Sequence, residues 1–347
     1  MECDFVFRCD ADERLGIGHA MRMLALAEAA RARGANCALV ARSLPVPIAK
    51  QYEALGVEVD ILGDRAAPDF DVAAMEKHIR RKGWAVIDAP GATETQLRAL
   101  CARGCKLAVF DDGDRDGFGG ADLIVNPNIE AEDAHYAARV SAGVALALGL
   151  PFLPLRSVYA EARFDLLRRE RPRVLVTMGG ADPGCLTETI TAALAPLAPL
   201  CDISAVIGPA FSDRAQCARA ISAISPDIES IDAPDGLAEF LARSDIVVTM
   251  GGVTLWEAAA MQCAVIGVAF GAAQRATLDA ALAQNAVHAV FPAESLDVDA
   301  LTRAVETLAR APVMRRACGA RAGALVDGRG AARCLDRLDE LRMRRAS

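Results

Sequence analysis

Aromatic side chains are scarce in this chain of 347 residues, at 5% against 53% hydrophobic residues overall. A core of stacked rings is excluded, and the alanine-rich remainder points to aliphatic helices packed on Val/Ile/Leu strands. No CxxC pair occurs among the 11 cysteines, which removes the common zinc and redox frameworks. Scattered and odd in number, they read as reduced thiols acting as small hydrophobes in a cytoplasmic protein. No metal site and no cofactor is expected. A basic excess is also missing: 38 Lys and Arg face 46 Asp and Glu, for a net charge of −8. That argues against the broad basic footprint of a nucleic-acid partner. No apolar run reaches the ~20 residues that span a bilayer, and the opening MECDFVFRCD lacks the basic segment and long apolar core of a secretory signal. A Walker sequence GxxxxGK[ST] is absent, so ATP hydrolysis has no support.

What is present is a regular alternation of short apolar runs and helical stretches. Strands are expected at Phe5–Phe7, 36–42, 57–62, 84–88, 106–112, up to Asn126, and at 143–149, with helices at 19–33, 71–82 and 93–103 between them. A second series follows, with strands at 173–180, 202–208, 227–231, 245–252, 264–270 and 286–291 and helices between them. Two helical stretches are expected over 302–346. Strands alternating with helices mean βαβ units and parallel sheets. The length suits two domains. The fold class is α/β with two Rossmann-like domains facing across a cleft, divided as 1–155 and 156–347, with the proline-bearing, charged stretch 151–172 as linker.

The stretch Arg8 to Arg22, RCDADERLGIGHAMR, runs from a strand through Gly16 and Gly18 into a helix and places His19 at the join. Ligands of open α/β sheets bind outside the carboxyl ends of strands, where helix N-termini present free N–H groups. His19 is therefore the candidate catalytic group, the simpler reading being a histidine that only caps its helix. The positive end of the helix dipole is expected to keep it neutral near pH 7. Asp88, Asp111, Asp112 and Asn126 also end strands and collect at the same edge. An Asp in that position is often just an N-cap for the next helix, and both readings stand for Asp88. Asp111 and Asp112 are adjacent on a strand, so they point to opposite faces and are not expected to act as a pair.

Tested as a dinucleotide fingerprint, the loop has Gly16 and Gly18 but Met21 in place of the third glycine, and its second strand ends in Arg42 rather than an acidic residue. In the second half, VLVTMGGADPG and IVVTMGGVTLWEAA nearly repeat. Each ends a buried strand in Met-Gly-Gly before a helix, where glycine permits close approach and helix amides can hold phosphate oxygens. Glu257, one turn into its helix, suits either the helix dipole or the two hydroxyls of a ribose.

Together, R-x-D, G-x-G-H-x-x-R, GGADP and GGVTLWEA followed by Gln274 resemble the GT-B superfamily of nucleotide-sugar enzymes. Within it the chain is similar to the UDP-2,4-diacetamido-2,4,6-trideoxy-β-L-altropyranose hydrolases of pseudaminic acid synthesis, including PNIE after Asn126 and the late DGRGAAR. The resemblance implies a UDP-sugar substrate hydrolysed at the anomeric carbon, without a metal, by water that His19 deprotonates. It places Gly252, Val253 and Thr254 at the diphosphate, Glu257 at the ribose, Gly180 and Gln274 facing the ligand, and Arg8, Asp10, Gly18, Arg22 and Asp88 on the sugar side. Two positions depart from that pattern: Asp88-Ala89-Pro90 lacks an aromatic or histidine after the Asp, and Ala273-Gln274 stands where Asn-Gln is expected. A glycosyltransferase with a sugar or lipid acceptor, and a non-catalytic nucleotide-sugar binding module, are the alternatives.

Overall fold

The computed structural model of the chain describes residues 2–12, 15–63, 70–113, 115, 117–161, 171–182, 184–232 and 236–344. The chain divides into two compact units, Met1–Ser157 with Gly328–Ser347, and Val158–Asp327.

In the first unit seven strands, β1 (Cys3–Cys9), β2 (Cys37–Ala41), β3 (Glu58–Ile61), β4 (Ile79–Asp88), β5 (Lys106–Phe110), β6 (Leu123–Asn126) and β7 (Ala145–Leu148), form one sheet in the order β3-β2-β1-β4-β5-β6-β7. Every pairing is parallel. Helices α1 (Gly18–Ala32), α2 (Val46–Ala54), α3 (Phe70–His78), α4 (Glu94–Ala102) and α5 (Asp133–Tyr136) are interleaved with them. β2 and β5 are buried along their whole length, as parallel strands covered on both faces must be. One face packs Phe5, Phe7, Trp84, Val86 and Phe110 against α1 and α2. The other packs Val6, Ala85, Ile87 and Val109 against α3, α4 and α5.

The second unit begins with the short α6 (Val158–Glu161). Its strands are β8 (Arg173–Thr177), β9 (Asp202–Ile207), β10 (Ile228–Asp232), β11 (Ile246–Met250), β12 (Ala264–Ala269) and β13 (Val287–Pro292), in the order β10-β9-β8-β11-β12-β13. All are parallel. Its helices are α7 (Leu186–Leu194), α8 (Arg214–Ile224), α9 (Ala238–Arg243), α10 (Val253–Ala260), α11 (Gly271–Ala283), α12 (Val298–Arg310) and α13 (Pro312–Leu325), and α14 (Gly330–Arg344) closes the chain.

Four features differ from the sequence pattern. The helix expected over 71–82 stops at His78, because Ile79 pairs with Cys3 and opens β4. Gly83 then passes so close to β1 that a Cβ would lie 3.0 Å from the Cys3 carbonyl oxygen. The helix α2 carries proline in its first turn, a position where the missing N–H costs nothing, and Pro45 and Pro47 disguise it as a loop. The tail holds three helices rather than two. Its last, α14, belongs with the first unit and not with residues 156–327: Leu335 and Leu338 are buried in the cluster of Phe5 and Phe7. Two buried leucines stabilise that docking by about 1.5–3 kcal/mol each. Within the expected linker 151–172, residues 162–170 lie outside the described residues. Among the described residues no helix is long and apolar enough to cross a membrane.

Candidate active site

Both sheets reverse their strand order once, the first between β1 and β4 and the second between β8 and β11. Such switch points leave a crevice outside the carboxyl ends of the strands, where open α/β sheets bind ligands. The residues expected to carry function gather at these two places.

At the first, α1 starts at Gly18 without a side-chain cap, and His19 follows in its opening turn. Strand alternation turns Asp88, two residues beyond Val86, to the face that α1 covers, and it does the same for Asp112 beyond Phe110. His19 Nδ1 lies 2.8 Å from Asp88 Oδ1. Arg22, one helical turn on, donates from Nε and Nη2 to Asp88 at 3.0 and 2.8 Å. It also donates from Nη1 and Nη2 to Asp112 at 2.8 and 3.0 Å. Two forked pairs thus engage four of the five guanidinium hydrogens.

Arg22 Nη2 is also 2.9 Å from His19 Nδ1, but both its hydrogens are taken by the two carboxylates. Nδ1 must therefore carry the proton it shares with Asp88, which leaves Nε2 with a free lone pair. Hydrogen accounting assigns that tautomer, and it is the one a general base requires. The side chain of His19 is 16% exposed and that of Asp88 only 3%.

Burial opposes a charge on His19, but Asp88 outweighs it with help from Asp112, so the imidazole holds its proton more tightly than an ordinary histidine. The helix dipole is expected to favour the neutral form; the carboxylates within hydrogen-bonding range act in the opposite direction and set the sign of the shift. Burial also opposes charge on Asp112, yet Arg22 keeps that carboxyl well below the usual carboxylate range. Among the described residues His19, Asp88 and Asp112 bring potential metal-ligand atoms within 4.8 Å of one another. Nη2 of Arg22 touches all three, so a protein cation already stands where a metal ion would sit.

Asp88 does not cap the next helix; Thr93 does, in a reciprocal capping box with Gln96. Asp111 and Asp112 do diverge. Asp111 accepts from the Tyr136 hydroxyl at 2.8 Å on the opposite face, and that hydroxyl accepts from Asn126 at 2.8 Å.

Arg8 and Asp10 alternate to that other face too. Arg8, 4% exposed, pairs with Asp10 at 2.7 Å and Asp71 at 3.1 Å, and Asp71 also holds Arg42 at 2.9 Å. The structure thus separates the expected sugar-side set: His19, Arg22 and Asp88 come together, while Arg8 and Asp10 form an ion-pair cluster of their own. Asp112, absent from that set, joins the first group.

At the second switch point the two Met-Gly-Gly turns are neighbours, since a Cβ on Gly179 would sit 3.4 Å from the tip of Met250. Their helix starts differ. Asp182 accepts from the Leu186 and Thr187 amides at 2.8 and 2.9 Å and so closes the N-terminus of α7. The Gly180 carbonyl accepts from the Ala210 amide. The expectation that both turns present free amides to phosphate is corrected for the first turn. In α10, Gly252 is the N-cap, no side chain caps it among the described residues, and no acid lies in its first turn. Val253 and Thr254 occupy its first two positions, and Glu257 is buried farther along. Gln274 reaches the same place: its backbone oxygen lies 2.7 Å from where a Cβ on Gly251 would be. Its side chain accepts from the Phe270 amide at 3.1 Å.

Comparison with solved structures is decisive for the architecture. Acinetobacter baumannii MurG superposes with a TM-score of 0.66 at 14% identity, over 97% of this chain and 99% of that one. The calicheamicin glycosyltransferase gives 0.61 at 15% identity over the whole of both chains. The fold is GT-B-like. The UDP-GlcNAc 2-epimerase of Neisseria meningitidis bound to UDP-GlcNAc gives 0.63 at 10% identity, over 97% and 99% of the two chains. In sequence, an uncharacterized protein of Methanocaldococcus jannaschii is 25% identical over 260 residues, 72% of this chain and 52% of the relative. The chain thus matches about half the length of that curated relative. No protein-family model matches.

Proposed function

We infer that this GT-B-like chain is a nucleotide-sugar enzyme that breaks the bond between an anomeric carbon and a UDP oxygen, with His19 as general base. The observation that carries this reading is the His19–Asp88 contact of 2.8 Å, with Arg22 engaged so that Nε2 is the free nitrogen. In the reaction Nε2 takes the proton of an attacking O–H group. The new C–O bond forms at the anomeric carbon as the bond to UDP breaks, and the departing charge rests on the diphosphate. Asp88 stabilises the imidazolium that results. The uncapped start of α10, with Gly252, Val253 and Thr254, suits the diphosphate through its amides and dipole. Glu257 suits the ribose hydroxyls, and Gln274, beside Gly251, the nucleotide or sugar.

Two nucleophiles fit this chemistry. Glycosyl transfer to a hydroxyl acceptor is favoured by the fold shared with a glycosyltransferase. Hydrolysis of a UDP-linked 2,4-diacetamido-2,4,6-trideoxy sugar is favoured by G-x-G-H-x-x-R, whose histidine is the one paired with Asp88. A binding module without catalysis has no need of that pair. The deciding experiment incubates the protein with this UDP-sugar in ¹⁸O-labelled water. Release of UDP with label in the sugar identifies hydrolysis; release only when an acceptor is added identifies transfer; no turnover in either case, with UDP still bound, identifies the binding module. His19→Ala is expected to lower turnover by ~10²–10⁴-fold and leave UDP affinity, measured by calorimetry, unchanged.

A further inference from the structure

Asp112 lies 90 residues from Arg22 in sequence, and its side chain is 39% exposed where that of Arg22 is 7%. Asp112 is the outer of two counter-ions to Arg22, since Asp88 takes the Nε hydrogen and one Nη2 hydrogen and leaves three of the five open. Its value lies in the hydrogen it occupies. Nη2 has two hydrogens and three neighbours able to accept them: Asp88 Oδ1 at 2.8 Å, Asp112 Oδ2 at 3.0 Å and His19 Nδ1 at 2.9 Å. Without Asp112 one hydrogen is released toward Nδ1. An imidazole that accepts there carries its own proton on Nε2, the nitrogen a base must keep free.

We propose that Asp112 is a positioning residue that selects the Nδ1–H tautomer of His19 by holding the second Nη2 hydrogen of Arg22 away from the imidazole. The opposite face of β5 fixes its aim. Asp111 is held by the Tyr136 hydroxyl and the Arg115 amide at 2.8 and 3.2 Å. Arg115 ties that segment to the carbonyls of Ala89 and Ala92, just beyond Asp88. Asn128 adds a 3.4 Å contact to Asp112 itself. Among the described residues the charged groups facing His19 are Arg22 on its own helix, Asp88 at the end of β4 and Asp112 beyond β5. Cys9 on β1 and Tyr52 on α2, near Asp88, are kept neutral by burial.

The inference deepens the role given to His19 above, but its test needs no substrate. The full chain has four histidines, and long-range ¹H–¹⁵N spectra of labelled protein report the tautomer and titration of each, with His19→Gln marking the signal. Wild type is expected to show Nε2 unprotonated in neutral His19. In Asp112→Ala the Nε2–H form is expected to grow and the titration midpoint to fall by about one pH unit, with Asp112→Glu restoring both. Asp112→Asn, which keeps the volume and one acceptor, is expected to lie between them. The same tautomer and midpoint in wild type and Asp112→Ala, or Nε2–H in wild type, overturns the proposal. With a UDP-sugar that turns over, Asp112→Ala is expected to lower kcat about tenfold at unchanged KM, through the wrongly protonated fraction. A shifted tautomer in a protein that turns over no UDP-sugar sustains the positioning role and removes the enzymatic reading; turnover with an unmoved tautomer does the reverse.

Discussion

The two sheets present the same topological feature and furnish it with different chemistry. Where β1 and β4 diverge, four charged or titratable side chains, His19, Arg22, Asp88 and Asp112, meet within hydrogen-bonding distance. Where β8 and β11 diverge, glycine turns bring backbone together, and the polar groups on offer are helix amides and one buried glutamate. The first arrangement can move a proton; the second can hold an anion. Within the second sheet the contrast repeats on a smaller scale. Two nearly identical Met-Gly-Gly turns lead to one helix closed by Asp182 and one left uncapped. The difference is a single aspartate placed to reach the first two amides of α7.

The comparison can be broken most forcefully at the charged switch point. Arg22→Met leaves Asp88, 2% exposed, without its cation, and removing one partner of a buried pair costs about 3–5 kcal/mol. Urea unfolding is expected to show that loss; an effect below about 1 kcal/mol would mean that solvent reaches the pair and the cluster is not the buried device described. At the glycine switch point the sensitive position is Gly251. A methyl there meets the Gln274 backbone oxygen at 2.7 Å and Leu278 at 3.1 Å, so Gly251→Ala is expected to cost about 1–3 kcal/mol. Gly252→Ala, with nothing within 4 Å of its new Cβ, is expected to leave unfolding unchanged, and equal losses in the two variants would remove the close approach as the cause.

Asp182→Ala tests the smaller contrast. Losing both amide contacts of α7 is expected to cost ~0.5–2 kcal/mol, and a new phosphate-dependent gain in melting temperature would show that the opened turn had become like its twin.

The finest distinction is in pH. His19 in the first unit has its pKa raised from 6.5 by its carboxylates, against burial. His288 in the second has its pKa lowered from 6.5 by burial alone. For His19 the linked stability is fully present below pH ~6.5 and is lost as pH rises through the folded value. For His288 the sign is opposite, with a penalty that appears as pH falls below ~6.5. Wild type is therefore expected to gain on His19→Gln between pH 8.5 and 5.5, and to lose ground to His288→Gln over the same interval, both followed by urea unfolding. Parallel behaviour of the two variants would erase the electrostatic difference between the units.

Much of this was legible in the sequence for physical reasons. A buried parallel strand must be apolar along its length, and turns need glycine, so the order of strands and helices could be read directly. His19 stood out because a lone titratable group fell between a glycine turn and a helix. Less legible were features that depend on who meets whom. Helix α2 hid behind prolines, which signal a break and equally a first turn. The leucines of α14 announced packing without naming the partner, which proved to be the first unit. Arg8 and Arg22 looked alike as arginines near a histidine, but strand alternation turns Arg8 to the face opposite the one that α1, which carries Arg22, covers. Asp112 carried no signal except its position at a strand end, and Asp182 looked like part of a ligand loop when it closes its own helix.

Sequence by itself therefore determined the alternating α/β chain, its two parallel sheets and the histidine at the opening turn, because hydrophobic period and turn chemistry are local properties. Tertiary structure decided the tautomer of His19 and the sharing of Arg22 between two aspartates. Those depend on which hydrogen reaches which acceptor across 60 or more residues of chain, and no local pattern encodes that geometry.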